Sequence, residues 1–206
     1  MSRIQYKIEH YTIVILAAGK SKRLGTQKQL LQYKGKTLLN HAVDTALKTG
    51  CPSVIVVLGS NMDLLRKELK DKPVIIVENM GWQQGMASSI RCALENIKAT
   101  IIRPQGVILM VCDQPHVNSS LLLNLLEKKQ QAGLPIAASS YAGKMGTPAL
   151  FDKSFFPALM KLTGDKGAGK LISDNPDKVA TLSFPAGIID IDTVEDYELL
   201  KKNNDY

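Results

Sequence analysis

Four apolar runs that never alternate with polar residues constrain this chain more than any other feature: 12–18 (TIVILAA), 53–58 (SVIVVL), 73–77 (PVIIV) and 106–112 (GVILMVC). A run this short with no polar face reads as a strand buried on both sides. Each is followed by a stretch whose apolar residues recur three and four apart, which reads as a helix packing one face inward. Leu38, Ala42, Thr45 and Ala46 mark the helix over 37–47, Leu64, Leu65 and Leu69 that over 62–70, and Leu121, Leu122, Leu125 and Leu126 that over 119–131. A further helix is predicted over 86–98. The alternation predicts an α/β fold of three layers, a mainly parallel sheet with helices on both faces and right-handed crossovers.

Beyond Gly133 the rhythm weakens. Residues 134–142 read as a strand, GKMGTP as a turn, 149–151 as extended chain and 155–162 as a helix. A glycine-rich loop with a short helix follows over 164–175, then strands at 179–184 and 188–191 and a helix at 195–202. No period repeats and no low-complexity linker intervenes, so the 206 residues are expected to form one domain.

Composition removes several classes. With 45% hydrophobic residues spread in dense blocks, wholesale disorder is excluded. Three cysteines without a CxxC pair exclude a disulfide scaffold, and with three scattered histidines they show no zinc spacing. Gly19, Lys20 and Lys22 interrupt the first apolar stretch far short of a membrane span, and no signal-peptide pattern opens the chain; the expectation is a cytoplasmic protein with no membrane partner. A net charge of +7 favours anionic partners without choosing among them. Aromatic residues at 5% and dispersed basic residues speak against nucleic acid. No GxSxG elbow supports a serine hydrolase.

The strongest local signal is LAAGKSKRLGTQK, residues 16–28, a basic loop bracketed by glycines directly after the first strand. Backbone N–H groups at glycines can reach a phosphate, and Lys22, Arg23 and Lys28 offset its charge. The loop is neither a Walker A sequence nor a GxGxxG fingerprint, and the bland alternative is a solvated basic turn. A second signal is VCDQPH, 111–116, where a buried strand ends at Asp113. A carboxylate beside a bound triphosphate suits Mg2+, which takes one or two carboxylates plus phosphate oxygens; a helix cap is the alternative. His116 carries less weight. The third signal is IDIDTVED, 189–196, in which Asp190 and Asp192 share a side if the chain is extended. One of them then supplies a second metal carboxylate, with Thr193 capping the last helix and Glu195 and Asp196 in its first turn. The alternative makes all four acids capping and surface residues.

Two further stretches are less sharp. GWQQGMASSI, 81–90, places Ser88 and Ser89 in an opening helical turn, with Trp82 stacking on a ligand or pinning its loop to the core. KMGTPALF, 144–151, suits a pocket wall, with Gly146 allowing close backbone approach.

Six stretches, LAAGKSKRLGTQK (16–28), GMASSIRCAL (85–94), CDQPHV (112–117), GTPALF (146–151), GDKGAGKLI (164–172) and DIDTVEDY (190–197), together resemble the MobA-like nucleotidyltransferase family, and in particular its molybdenum cofactor cytidylyltransferase branch. The resemblance implies a Rossmann-like sheet and Mg2+-dependent transfer of a nucleoside monophosphate from an NTP to a phosphorylated acceptor, with pyrophosphate released. Leu16, Ala17, Ala18 and Gly19 would then hold the nucleotide, with Arg23 and Lys28 on its phosphates and Gly85 and Ser89 lining its site. Asp113 would bind magnesium together with Asp192 or Asp190, and the GDKGAGK stretch would belong to the acceptor side. The nucleotide-binding half would run over about 10–117 and the acceptor-binding and closing elements over about 118–206. Relatives that use GTP tend to carry LAGG where this chain has LAAG, so the methyl of Ala18 points to CTP. Val194 stands where relatives commonly have proline and Leu24 where methionine is common, and neither change removes a charge. A molybdopterin-type cofactor is the expected acceptor, and a molybdoenzyme or its chaperone an expected partner.

Arg23, Lys28 and Asp113 are the expected catalytic residues, because such a transfer needs positioning and charge compensation more than a strong base. The rivals are transfer to a sugar phosphate or another small phosphorylated alcohol, and a nucleotide-binding chaperone or sensor without turnover.

Overall fold

A computed structural model describes residues 7–21, 23–101 and 103–202. Its strands are β1 (Tyr11–Ala17), β2 (Gln32–Tyr33), β3 (Lys36–Thr37), β4 (Val54–Leu58), β5 (Ile75–Glu78), β6 (Gly106–Val111), β7 (Ile136–Tyr141), β8 (Lys144–Asp152) and β9 (Val179–Ser183). The helices are α1 (Leu38–Leu47), α2 (Met62–Glu68), α3 (Met86–Ala99), α4 (Ser119–Ala132), α5 (Phe156–Met160), α6 (Gly169–Asp174) and α7 (Val194–Lys202). Seven strands form one sheet in the order β5-β4-β1-β6-β8-β7-β9, in which β8 alone runs against the others.

All seven residues of β1 are buried, as its unbroken apolar sequence requires. Its side chains divide by parity. Ile13 and Ile15 pack with Leu39 and Val43 of α1, Leu65 of α2 and Leu122 and Leu125 of α4. Val14 and Leu16 pack with Ile90 and Leu94 of α3, Leu159 of α5 and Ile172 of α6. The three layers expected from the sequence follow from this division. Because β1, β4, β5 and β6 are parallel, their carboxyl ends and the loops after them gather at one edge of the sheet, where open α/β sheets bind ligands.

The predicted helices at 37–47, 62–70, 86–98 and 119–131 form within a few residues of those bounds. Thr37 caps α1 by accepting from the Asn40 backbone N–H, and Asn118 caps α4 by accepting from that of Leu121. Gly133, at φ +65°, ends α4 in the left-handed conformation that glycine tolerates.

Three expectations need correction. GKMGTP is not a turn: residues 144–148 belong to β8, and the chain reverses at Ala142-Gly143, both with positive φ, the geometry that matches strand twist in a two-residue hairpin. Thr147 and Pro148 stand out of register between the Ala138–Ala149 and Ser139–Gly146 pairs; Pro148 lacks an N–H for the ladder, and its carbonyl accepts from the Ser139 hydroxyl instead. Residues 188–191 form no strand. A 3-10 turn over Pro185–Ile188 precedes them, and the Ile191 N–H donates to the Asp113 carbonyl, 3.0 Å away, rather than to a ladder. The predicted helix at 155–162 is split into a 3-10 turn over Lys153–Phe155 and the short α5. The β2–β3 hairpin, with Gly35 at φ +75°, is an addition to the predicted elements.

Asp44 of α1 receives hydrogen bonds from Lys36 of β3 and Lys72 before β5. Burial opposes its charge, but the two ammonium groups outweigh that and hold its carboxyl below the usual aspartate range. A depressed folded-state pKa gives stability that is present above the unfolded value and lost as pH falls through the folded one. Asp44→Asn is therefore expected to lower unfolding free energy by about 1 kcal/mol at neutral pH, discounted because Lys36 is exposed, and by progressively less as pH falls through the lowered pKa of the Asp44 carboxyl. Urea titrations of both proteins across that range would check it.

Candidate active site

At the carboxyl edge of the sheet lies a cleft of about 730 Å³, walled by residues 16–20, Lys28 and Gln29 on one side and by Trp82, Gly85, Met86 and Ser89 on another. Val111, Cys112 and Asp113 lie at the end of β6, and Asp165 reaches in from the loop before α6. Leu16, Ala17, Ala18 and Gly19 thus meet Gly85 and Ser89 around one space, although about 70 residues separate them in sequence.

Asp113 follows β6 directly, and Lys28 opens a 3-10 turn over Lys28–Leu30. The Lys28 ammonium donates to Asp113 Oδ2 at 2.5 Å and to Asp192 Oδ1 at 2.8 Å. Arg23 Nη2 donates to Asp192 Oδ2 at 2.6 Å, with its own side chain 71% exposed. Three segments, the 16–28 loop, the end of β6 and the chain before α7, therefore close on one cluster of charge.

Electrostatics follow from this packing. Burial opposes the Lys28 charge, yet Asp113 and Asp192 outweigh it and hold the ammonium well above the usual lysine range. Asp192 is likewise held down: burial would raise it, but Lys28 and Arg23 prevail. Asp190 is exposed and is pushed up by partial burial and by Asp192 and Asp113. Asp190 lies close enough to Asp192 and Asp113 to feel both charges, and of the two only Asp192 pairs with Lys28 among the described residues. The wholly buried Cys112 thiol is pushed up to about 12 by burial and by Asp113, so it is an inert wall.

Asp113 Oδ1 is buried and has no hydrogen-bond partner among the described residues. A buried orphan carboxylate oxygen costs free energy unless a cation meets it. Hard oxygen donors at Asp113 and Asp192 fit a divalent cation such as magnesium. Among the described residues no group of three or more acidic, histidine or cysteine side chains could hold a metal unaided, which suits an ion whose remaining ligands are phosphate oxygens and water.

The helix entry is built by close contacts. Gly85 has φ +90°, and a Cβ there would collide with the Asp165 carboxylate and the Gly164 backbone. The Ala87 N–H donates to the Gly164 carbonyl at 3.1 Å. The GDKGAGK stretch is thereby fastened over the start of α3, and Asp165 faces the same cleft as Ala18 and Ser89. A Cβ at Gly59 would lie 2.7 Å from Trp82 Cβ and 2.8 Å from Ala18 Cβ, so Gly59 lets both pack against the end of β4. Trp82 is half-buried against the core and also lines the cleft, which joins its two predicted roles. Gly146 has another use: a Cβ there would strike the Tyr141 hydroxyl, so the close approach is across the β7–β8 hairpin. His116 lies edge-on to the Tyr33 ring at 6.3 Å, outside the cleft lining. Lys22 lies outside the described residues.

At the start of α7, Thr193 and Asp196 cap one another: the Asp196 carboxylate accepts from the Thr193 N–H at 2.8 Å, and the Thr193 hydroxyl accepts from the Asp196 N–H at 3.2 Å. The same carboxylate accepts from the Asp192 N–H, which fixes the backbone that carries Asp192. Two buried amides had no signal in the sequence. Asn79 Nδ2 donates to the Ser88 and Ser89 hydroxyls at 2.7 and 3.0 Å, and Gln29 Nε2 donates to the Ala17 and Gly19 carbonyls, both at 2.9 Å. Asn79 carries no mark beyond its place directly after β5, and Gln29, beside a basic loop, reads as surface.

Residues 13–179 match the family model described as the MobA-like NTP transferase domain. The chain is 33% identical over 199 residues to nicotine blue oxidoreductase of Paenarthrobacter nicotinovorans, covering 92% of this chain and 96% of that one. It superposes on the crystal structure of Rv0371c from Mycobacterium tuberculosis H37Rv with a TM-score of 0.79 at 33% identity, covering 95% of this chain and 100% of the other. A structure of Rv0371c in complex with manganese gives 0.74 at 31% identity, with 93% and 98% covered. No helix among the described residues is long and apolar enough to cross a membrane. With the family model spanning most of the sheet and the loops at its carboxyl edge, this chain belongs to the MobA-like NTP transferases, a family of nucleotidyltransferases.

Proposed function

We propose that the protein transfers CMP from CTP to a phosphorylated acceptor of the molybdopterin type, releasing pyrophosphate, with Asp113 and Asp192 holding Mg2+. The observation that carries this reading is the convergence of both carboxylates on Lys28, with Asp113 Oδ1 left unpartnered beside the cleft. A site that only bound a nucleotide would have no need of two such carboxylates. The manganese complex of Rv0371c supports use of a divalent cation.

The acceptor's terminal phosphate oxygen attacks the α-phosphorus in line. One P–O bond forms, the bond to the β-phosphate oxygen breaks, and its electron pair leaves with pyrophosphate. A phosphate monoester has its second pKa near 6 and is substantially ionised at neutral pH, so the site needs no strong base. Lys28 and Arg23 compensate charge on the equatorial and leaving oxygens. A divalent cation at Asp113 and Asp192 supplies Lewis-acid stabilisation of the same oxygens. The base lies against Ala18, whose methyl is backed by Gly59 and narrows the wall, which favours a pyrimidine. Gly85 and Ser89 line the nucleotide site, residues of about 10–117 carry it, and the remainder binds the acceptor and closes it, with Asp165 at the nucleotide cleft as an exception. A molybdoenzyme or its chaperone would receive the product.

Pyrophosphate release with Mg2+ and each of the four NTPs, with and without molybdopterin, tests the reading. The expected result is release that requires molybdopterin and is fastest with CTP. Equal rates for all four would remove the base assignment. Release with sugar phosphates in place of molybdopterin would transfer the acceptor side to the rival.

A further inference from the structure

Gln29 is 1% exposed in a loop whose neighbours Gly25, Thr26 and Lys20 are exposed. Burying a primary amide is unfavourable unless its donors and acceptor are met, so the position of its partners has a purpose. Gln29 Nε2 donates to the carbonyls of Ala17 and Gly19, and its Oε1 accepts from the Ser21 hydroxyl at 3.5 Å. That hydroxyl in turn accepts from the Lys28 N–H at 3.1 Å. Between the two held carbonyls, the Ala18 carbonyl accepts from the Ser60 N–H at 3.1 Å. Three consecutive carbonyls are thus tied back to the body of the protein.

A trans peptide holds its C=O and the next N–H on opposite sides. Tying the carbonyls of Ala17, Ala18 and Gly19 therefore turns the N–H groups of Ala18, Gly19 and Lys20 away from their anchors. None of the three meets an acceptor among the described residues. Ala18, Gly19 and Lys20 line the cleft beside Lys28. Successive unpaired N–H groups on one loop form an anion-binding concavity.

We propose that Gln29 is a positioning residue, which sets the peptide planes of residues 17–20 so that the N–H groups of Ala18, Gly19 and Lys20 bind the phosphates of the nucleotide. This rests on the nucleotide-binding reading above and assigns to Gln29 a role exerted through the loop backbone that it holds. It also accounts for the amide: a glutamate would set a negative charge against two carbonyl oxygens, and a leucine would take this donor from both, the buried Ala17 carbonyl and the more exposed one of Gly19.

Trp82 is the chain's single tryptophan and lines the cleft, so its fluorescence reports occupancy directly. Titrations of wild type and Gln29→Leu with CTP plus Mg2+, and separately with cytidine, test the proposal. The expected result is a loss of about tenfold or more in CTP affinity, the size of one lost charge-assisted hydrogen-bond set, with cytidine affinity within about twofold. A merely structural role would weaken both ligands alike, and that outcome, or unchanged CTP affinity, overturns the proposal. Should Gln29→Leu not fold, amide NMR of the wild type decides: tripolyphosphate must shift the Ala18, Gly19 and Lys20 resonances, and an absence of such shifts defeats it. Wild type that binds CTP while the variant matches it sinks this inference alone; wild type that binds no NTP sinks the nucleotide reading with it.

Discussion

Asp113→Ala is expected to lose pyrophosphate release by roughly 10²- to 10³-fold or more, the scale set by removing a main electrostatic contact to developing charge, while keeping a cooperative thermal transition. The two readouts separate because the residue's backbone and side chain serve different ends. Its carbonyl accepts from the Ile191 N–H and survives the substitution, so the 188–192 segment stays attached to β6. Its carboxylate pairs with Lys28, which keeps Asp192 at 2.8 Å as a second partner. Removing one of two acceptors from a partly buried ammonium costs about 1 kcal/mol, which for a domain of this size moves the transition by about 2–4 °C. Comparable turnover in both proteins would defeat the transferase assignment, and a transition lost altogether would show that Asp113 serves folding.

How much of this was legible in the sequence depends on whether a residue's partner is local. β1, β4 and β6 are readable because a strand covered on both faces needs apolar residues at every position, and that requirement is written within six or seven letters. β8 is not readable, since Gly146, Thr147 and Pro148 carry turn chemistry while serving as an irregularity inside an antiparallel pairing. The acidic segment 189–196 is recognisable as a candidate, and its Thr193–Asp196 cap follows from spacing alone. Its conformation does not, because the bond from Ile191 to the Asp113 carbonyl and that from Gln114 to the Gly187 carbonyl join residues more than seventy positions apart. Within that segment Asp192 bonds to Lys28, and Asp190 sits beside it within reach of the same charges. Gln29 and Asn79 show the limit most clearly: each is an ordinary polar letter whose importance comes from burial beside carbonyls and hydroxyls supplied by other segments. The company of Arg23 and the glycines marks Lys28 as a candidate phosphate ligand, but nothing in the sequence marks it as the bridge between two carboxylates.

That bridge yields the second large effect. Lys28→Met is expected to lower kcat/KM by about 10²-fold or more through loss of a cation at the phosphates, and also to lower the thermal transition. The sign of the stability change follows from the pair it abandons. With the ammonium in place, Asp113 Oδ2 and Asp192 Oδ1 each have a cationic partner, although Asp113 Oδ1 stays unpartnered. Without it, two carboxylates and the nearby Asp190 face one another, and among the described residues the exposed Arg23 is the cation left on the outer oxygen of Asp192. A merely destabilised protein would stay destabilised when metal is added. Here the same vacancy in charge that weakens the fold should favour a divalent cation, since Lys28 no longer competes for Asp113 Oδ2 and Asp192 Oδ1. Anything bound by the folded state alone raises stability in proportion to the logarithm of its concentration over Kd. Mn2+ without nucleotide is therefore expected to raise the transition of Lys28→Met by more degrees than that of the wild type, while leaving its turnover unrestored. Equal shifts in the two proteins would place the cation away from these carboxylates, and turnover restored by Mn2+ alone would mean that Lys28 serves only to neutralise them and never reaches the phosphates.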